Sequence, residues 1–295
     1  MENTHAIKAR IKSVESIRQI TKSMKMVAAS KLRRVQSARG ALSLMAEKSR
    51  MMLEQLQSSS ERSDNPFLAL RAEKKRVCFA AFVGNRGFCG VYNNALARYL
   101  ENEMAACGTD CFAVVCGSWG QDVMEGGGMS VKKRFGEFGD VPSAAEAQEL
   151  TEYLKKLYLN GEADEIVLVY QSFRSVLQQT PVSKTLLPVQ PGGEGSGAAG
   201  RIFEPDRKTI LDKVVELYLN NAVFAAMLEA RTGEHAARMT SMTAASDSTD
   251  ELIRSLRQDL NHARQAAITT ELSEIVSGAQ ALCCPLSSRA GWSPT

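Results

Sequence analysis

The segment GNRGFCG at residues 84–90 is where chemistry would be looked for first. It follows the apolar run VCFAAFV at 77–83 and precedes a helical stretch. Phosphate-cradling loops occupy such strand-to-helix turns, because backbone amides converge there. Its glycines lack the GxGxxG spacing, and no GK followed by Ser or Thr is present. A tight turn with structural glycines is the better reading. The three histidines, His5, His235 and His262, all fall on helical ends, without an acid or Cys in a catalytic arrangement. Surface or coiled-coil roles suit them. No convincing carboxylate pair lies in the strand-rich segment. We therefore expect no catalytic residues, no cofactor and no metal site.

Seven cysteines occur, at 78, 89, 107, 111, 116, 283 and 284. No CxxC exists, and no Cys/His cluster has zinc spacing. An odd number in a long chain argues against a secreted disulfide framework and for a reducing compartment. Cys78, Cys111 and Cys116 lie in apolar strand-like runs and are expected in the core. Cys283 and Cys284 are expected to be exposed tail thiols rather than a redox switch.

The elements that would position these groups are simple to read. Residues 4–57 contain no Pro and only Gly40; residues 206–282 contain no Pro and only Gly233 and Gly278. Both read as long helices. At about 1.5 Å per residue the second would reach roughly 115 Å, more than twice the roughly 50 Å breadth of a globule of this length. On the first, apolar positions run Ile7, Ile11, Val14, Ile17, Ile20, Met24, Ala28, Leu32, Val35, Ala38, Leu42, Met45, eleven steps over 38 residues. A step near 3.5 marks a left-handed coiled-coil seam. The second ends in a heptad stripe, Ile268, Leu272, Ile275, Ala279, Leu282.

Between them, strands are expected at 77–83, 111–117, 130–135, 165–173 and 179–189, the last demoted to an edge by its prolines. Helices are expected at 92–106 and from Ser143 to about Asn160. This alternation predicts a three-layer, Rossmann-like α/β head with a mainly parallel sheet, plus an antiparallel two-helix coiled coil. The expected divisions are an N-terminal helix 1–57, a linker 58–76, an α/β domain 77–190, a flexible connector 191–205, a C-terminal helix 206–282 and a disordered tail 283–295.

Residues 1–39 carry ten Lys or Arg against Glu2 and Glu15, whereas residues 206–282 carry eight basic and eleven acidic groups. Opposite signs favour pairing of the two helices, weakly after screening. The basic start asks for an acidic partner. Nucleic acid is disfavoured, because few aromatics interleave and the apolar seam is committed to pairing. No run of 18 apolar residues exists, so no transmembrane segment is expected. The start reads as mature helix rather than a targeting peptide.

The α/β segment joins the end of one helix to the start of the other, so they must run antiparallel. Setting 57 opposite 206 makes paired numbers sum to about 263. Met24 then faces Met239, beside Arg238, and Ile7 faces Leu256. Residues beyond about 260 have no partner in their own chain. A lone helix with an apolar stripe is marginal in water, so this end is expected to sit inside another protein.

IRQITKSMKMVAASKLRR (17–34), EHAARMTSMTAASDSTDELI (234–253) and ARQAAITTELSEIVSGAQAL (263–282) closely resemble the γ subunit of F-type ATP synthases. GNRGFCGVYN (84–93) is similar to that family's loop after the first strand, and the resemblance extends over about residues 3–282. It implies a rotor shaft inside an α/β subunit hexamer, with the ε subunit and the membrane c-ring at the head. Ion flow would turn the c-ring and drive ATP synthesis; ATP hydrolysis would run it in reverse. By matching position, Met24 and Arg238 would meet an acidic loop of the β subunit. Gln265 and Thr269 would be upper-shaft coupling positions, and Phe203 and Glu204 would approach the c-ring. Met24 as a plain seam residue and Arg238 as a solvated or intrahelical pair are the bland readings. The implied location is peripheral, on the cytoplasmic face of a bacterial plasma membrane, or less favourably an organelle inner membrane. The tail after Leu282 has no counterpart in the usual pattern. The thiol insertion of the chloroplast branch is absent, so no light-type redox control is expected. The rival readings are a coiled-coil adaptor, which predicts a homodimer, and a nucleotide-binding enzyme using residues 84–90.

Overall fold

The computed structural model describes residues 4–57, 65–69, 71, 74–118, 129–190, 204 and 206–283. Most of the expected linker, all of residues 191–200, Phe203 and the tail from Cys284 lie outside the described residues. Among the described residues nine elements follow in order: α1 Thr4–Gln57, β1 Arg76–Phe82, α2 Tyr92–Ala106, β2 Asp110–Cys116, β3 Val131–Phe135, α3 Ala144–Leu159, β4 Glu165–Phe173, β5 Gln179–Leu187 and α4 Arg207–Cys283. The chain divides into two compact units, Met24–Met242 and a second made of Met1–Ser23 with Thr243–Thr295.

In the larger unit the sheet order is β3-β2-β1-β4-β5. The first four strands are parallel, and β5 returns antiparallel along β4. The strict alternation of β1 builds two cores. Val77, Phe79, Ala81 and Val83 face α2 through Leu96, Ala97 and Leu100. Cys78, Ala80 and Phe82 face α3 and the helical residues Leu53, Leu56, Leu211, Val215 and Leu219. This is the expected three-layer arrangement. A bulge between Ala113 and Val114 shifts the β2–β3 register. It lets Val131 and Phe135 serve opposite cores although four residues apart, which an unbroken pleat would forbid. Both sheet edges are blunted. The outer strand β3 exposes Lys132, Lys133 and Arg134, and β5 carries Pro181.

Ser143 starts α3 with a capping box, its hydroxyl accepting from the Glu146 amide while Glu146 accepts from the Ser143 amide. Asp206 starts α4 in the same spirit, accepting from the Thr209 amide at 2.9 Å. Cys78 and Cys116 are buried as expected, but Cys111 is only half covered, because it stands at the open start of β2.

The α1 seam departs from the expected one. One buried row runs Ile7, Val14, Thr21, Ala28, Val35, Leu42, Ser49 and Leu56, one every seven residues. Half-covered Ile11, Arg18, Lys25, Arg39 and Ala46 and buried Leu32 repeat four positions later. The expected seam residues Ile17 and Ile20 are exposed, Ile20 at 59%. A strict 3.5 register carries Val14 to Thr21, and apolar character alone had pulled the reading aside. Met45 is exposed too.

The pairing register also shifts. In the larger unit Arg39 holds Glu229 at 2.7 Å and Asn221 reaches Ser49 at 3.4 Å, pairs whose numbers add to 268 and 270. In the smaller unit Arg18 holds Asp250 at 3.0 Å and Arg257 holds Glu15 at 2.9 Å, adding to 268 and 272. The expected sum of 263 holds only where the long Arg207 side chain reaches the Leu56 carbonyl. The helix ends are not directly opposed, because the Arg207 side chain spans an offset of about a turn. In the smaller unit Ile11 and Val14 pack on Ile253 and Leu256.

Candidate coupling site

Eight consecutive residues of α4, 231–238, are buried on every side of the helix. Three are ionised side chains at helical spacing. Glu234 accepts from Arg231, three residues before it, and from Arg238, four after it at 2.6 Å. Glu234 is 2% exposed. Burial alone would raise its carboxyl, but the two guanidiniums hold it below the usual carboxylate range.

The guanidiniums do more than neutralise Glu234. Arg238 donates to the carbonyls of Gly87 at 3.2 Å and Arg86 at 2.9 Å. Arg231 donates to the Phe138 carbonyl at 2.7 Å, and Asn85 donates to the same oxygen at 2.8 Å. Arg238 also donates to Nδ1 of His235 at 3.3 Å, which puts the imidazole proton on Nε2. Burial lowers the His235 pKa; Glu234 opposes this and Arg238 and Arg231 add to it, so the ring is neutral.

Residues 84–93 are shaped to meet this surface. The Gly84 amide donates to Asn93 Oδ1 at 2.8 Å, closing the turn. Tyr92, fully buried, donates to the Ala230 carbonyl at 2.7 Å, and Gln171 on β4 donates to the Tyr92 carbonyl at 3.1 Å. A Cβ on Gly90, where φ is +59°, would stand 2.8 Å from Ser241 Oγ. One on Gly233 would stand 3.1 Å from the Tyr92 ring. Close approach explains both glycines. Phe88 accepts a left-handed φ of 60° without being glycine and leaves its ring exposed.

The arrangement is a latch from the carboxyl end of the sheet to α4. It also disposes of the phosphate-loop reading, since the loop turns the carbonyls of Arg86 and Gly87 to Arg238, while a phosphate cradle needs inward amides. Structural glycines in a tight turn are what the geometry supports.

The anticipated site residues scatter. Arg238 is 9% exposed and committed to its own chain, as an intrahelical pair that is buried rather than solvated. Met24 is half-buried on α1. Gln265 and Thr269 are exposed on α4, the Thr269 hydroxyl donating to the Gln265 carbonyl at 2.9 Å. Glu204 is exposed and Phe203 lies outside the described residues. Glu234, Arg231, Tyr92, Asn93 and Gln171 were missed. The available signals were an isolated glycine inside a helix and an acid with arginines at −3 and +4.

The expected bare end of α4 is present. Every residue from 264 to 280 is exposed, including Ile268, Leu272, Ile275 and Val276, with Ile275 at 68%.

Comparison with known proteins bears on all of this. A family profile described as ATP synthase matches residues 3–282. The ATP synthase γ chain of Prosthecochloris aestuarii is 40% identical over 284 residues, covering 94% of this chain and 97% of that one. The chain belongs to the ATP synthase γ-chain family. Its role is that of the central stalk. A second γ-chain relative, from Desulforamulus reducens, is 38% identical and is covered over its full length. The fold agrees with a chain of the Euglena gracilis mitochondrial ATP synthase, described as OSCP/F1/c-ring, at a TM-score of 0.71 and 17% identity over 99% of this chain and 98% of that one. A Tetrahymena thermophila central stalk and c-ring chain aligns at a TM-score of 0.56 and 20% identity, over 77% and 99%. The adaptor reading is not favoured beside a γ-chain family match of this extent.

Proposed function

We propose that this chain is the rotor shaft coupling c-ring rotation to the catalytic cycle of an α/β subunit hexamer, with no catalytic site of its own. The observation that carries the reading is the uncovered stripe Ile268, Leu272, Ile275 and Val276. A lone helix of that kind needs enclosure, and a hexamer cavity supplies it. Gln265 and Thr269 belong to the same stretch and act at that enclosure. The basic stretch of α1, which carries Lys22, Lys25, Arg33 and Arg34, meets an acidic β-subunit loop near Met24. Glu204 and Phe203 lie toward the c-ring, and the ε subunit binds the α/β unit. Residues 58–76 and 191–205 act as the connectors of that unit, and 283–295 as a tail. The location is peripheral, on the cytoplasmic face of a bacterial plasma membrane, and the coupling ion is a proton or sodium.

The latch gives this reading a mechanism. Torque applied to the α/β unit reaches α4 through the hydrogen bonds that Tyr92, Arg231 and Arg238 make between that unit and residues 230–238. A tagged chain should recover α, β and ε subunits in stoichiometric amount. Recovery as a homodimer with no affinity for the hexamer would overturn the proposal and favour an adaptor.

A further inference from the structure

Away from the latch, two cysteines flank the turn between α2 and β2, and Met104 on α2 and Met129 ahead of β3 pack against the same core. Cys107 caps the end of α2, Gly108 reverses the chain at φ +65°, and Cys111 opens the body of β2. The Cys107 backbone and the Cys111 side chain both bond the last turn of α2. The Met104 carbonyl accepts from the Cys107 amide at 3.3 Å and from the Cys111 thiol at 3.7 Å. Met104, Cys107, Cys111 and Met129 all pack, partly buried, against the same core beneath α2. The sheet brings in Met129. Ala113 pairs in parallel with Val131, and the Ala113 amide donates to the Ser130 carbonyl at 2.8 Å, which sets residue 129 beside residue 111.

Neither thiol has a structural necessity comparable to Cys78 or Cys116, which are wholly enclosed. Cys107 and Cys111 keep a solvent-facing side, and the Cys107 sulfur sits 3.2 Å from the Thr109 hydroxyl. A thiophilic ion displaces a thiol proton as it binds.

Two thiols and two thioethers select ligand class by softness. Among the described residues no group of three or more His, Cys, Asp or Glu side chains could hold a metal ion, so hard and borderline ions lack a ligand set. Thiolate and thioether sulfur prefer monovalent copper and its congeners. We propose that Cys107 and Cys111, completed by Met104 and Met129, form a binding site for a soft monovalent cation of the Cu(I) type. The ion would bind the two thiolates with release of protons to solvent, and a thioether would fill a further position.

The experiment titrates Cu(I), held anaerobically by a chromogenic chelator, into the full chain carrying Cys283→Ser and Cys284→Ser. The expected result is one ion per chain with proton release, and tighter binding as pH rises. Cys107→Ser with Cys111→Ser should weaken binding by more than the 10–100-fold typical of losing an outer-shell partner. Met104→Leu with Met129→Leu, which preserves apolar bulk, should weaken it by about tenfold and decides the matter if the serine variant fails to fold. Affinity equal to the parent in either folded variant overturns the site, as does an absence of proton release.

Discussion

Glu234 is a buried carboxylate with two buried arginines, and its deletion would strand both. Breaking such a group costs about 3–5 kcal/mol, because uncompensated charge is left in a dry site. Glu234→Gln should therefore destabilise the isolated chain by about that amount in chemical denaturation. His235 sets a different limit. Its pKa is lowered from the ordinary 6.5 by burial and by Arg238 and Arg231, against Glu234 and Asp140. A depressed pKa contributes stability above the unfolded value that is lost as pH falls below it. Acidification below pH 6.5 should lower the thermal midpoint, and His235→Gln should flatten that slope. The Glu234 contribution vanishes only at lower pH, below the ordinary 4.5 of a free Glu. A wild-type midpoint flat across the His range would contradict this assignment.

Elements were more legible in the sequence than their faces. Apolar runs bounded by turn residues placed β1, β4, α2 and α3 within a residue or two, because strand alternation and Ser143 capping are local signals. The pairing partner of each α1 position was not local. Heptad geometry buries Thr21 and exposes Ile17, and only the opposing helix decides that. Ala28 makes the difference testable. At 1% exposure it has no room, so Ala28→Leu should cost about 1–3 kcal/mol by overpacking. Ile20→Ala, on the exposed face, should change stability by less than about 0.5 kcal/mol. The two denaturation curves check the seam directly. The latch was half legible. Residues 84–90 announced a special turn, but its counterpart on α4 lies some 150 residues away, and no spacing rule links Gly87 to Arg238.

At the scale of the whole rotor, charge decides what the surface tolerates. A turning shaft cannot afford a deep fixed ion pair with its housing, since each angle would become a trap. The fixed pairs around Arg238 and Glu234 are instead internal to the chain. Half-buried Met24 and exposed Met26 present soft sulfur to the outside, whereas the seam residue Ala28 faces inward. Met24→Lys in the assembled complex should reduce ATP-driven ion pumping while leaving ATP hydrolysis largely intact. Parallel measurement of both activities in membrane vesicles tests this, and unchanged pumping would count against a contact at Met24.

The guarded rims of the sheet bear on life before assembly. A γ-family chain made in excess of its hexamer must wait with its greasy helix end bare. Lysines and an arginine along β3 and a proline in β5 deny other copies a template for strand addition. Contacts between orphan copies are thereby directed away from strand addition and toward the bare helix end.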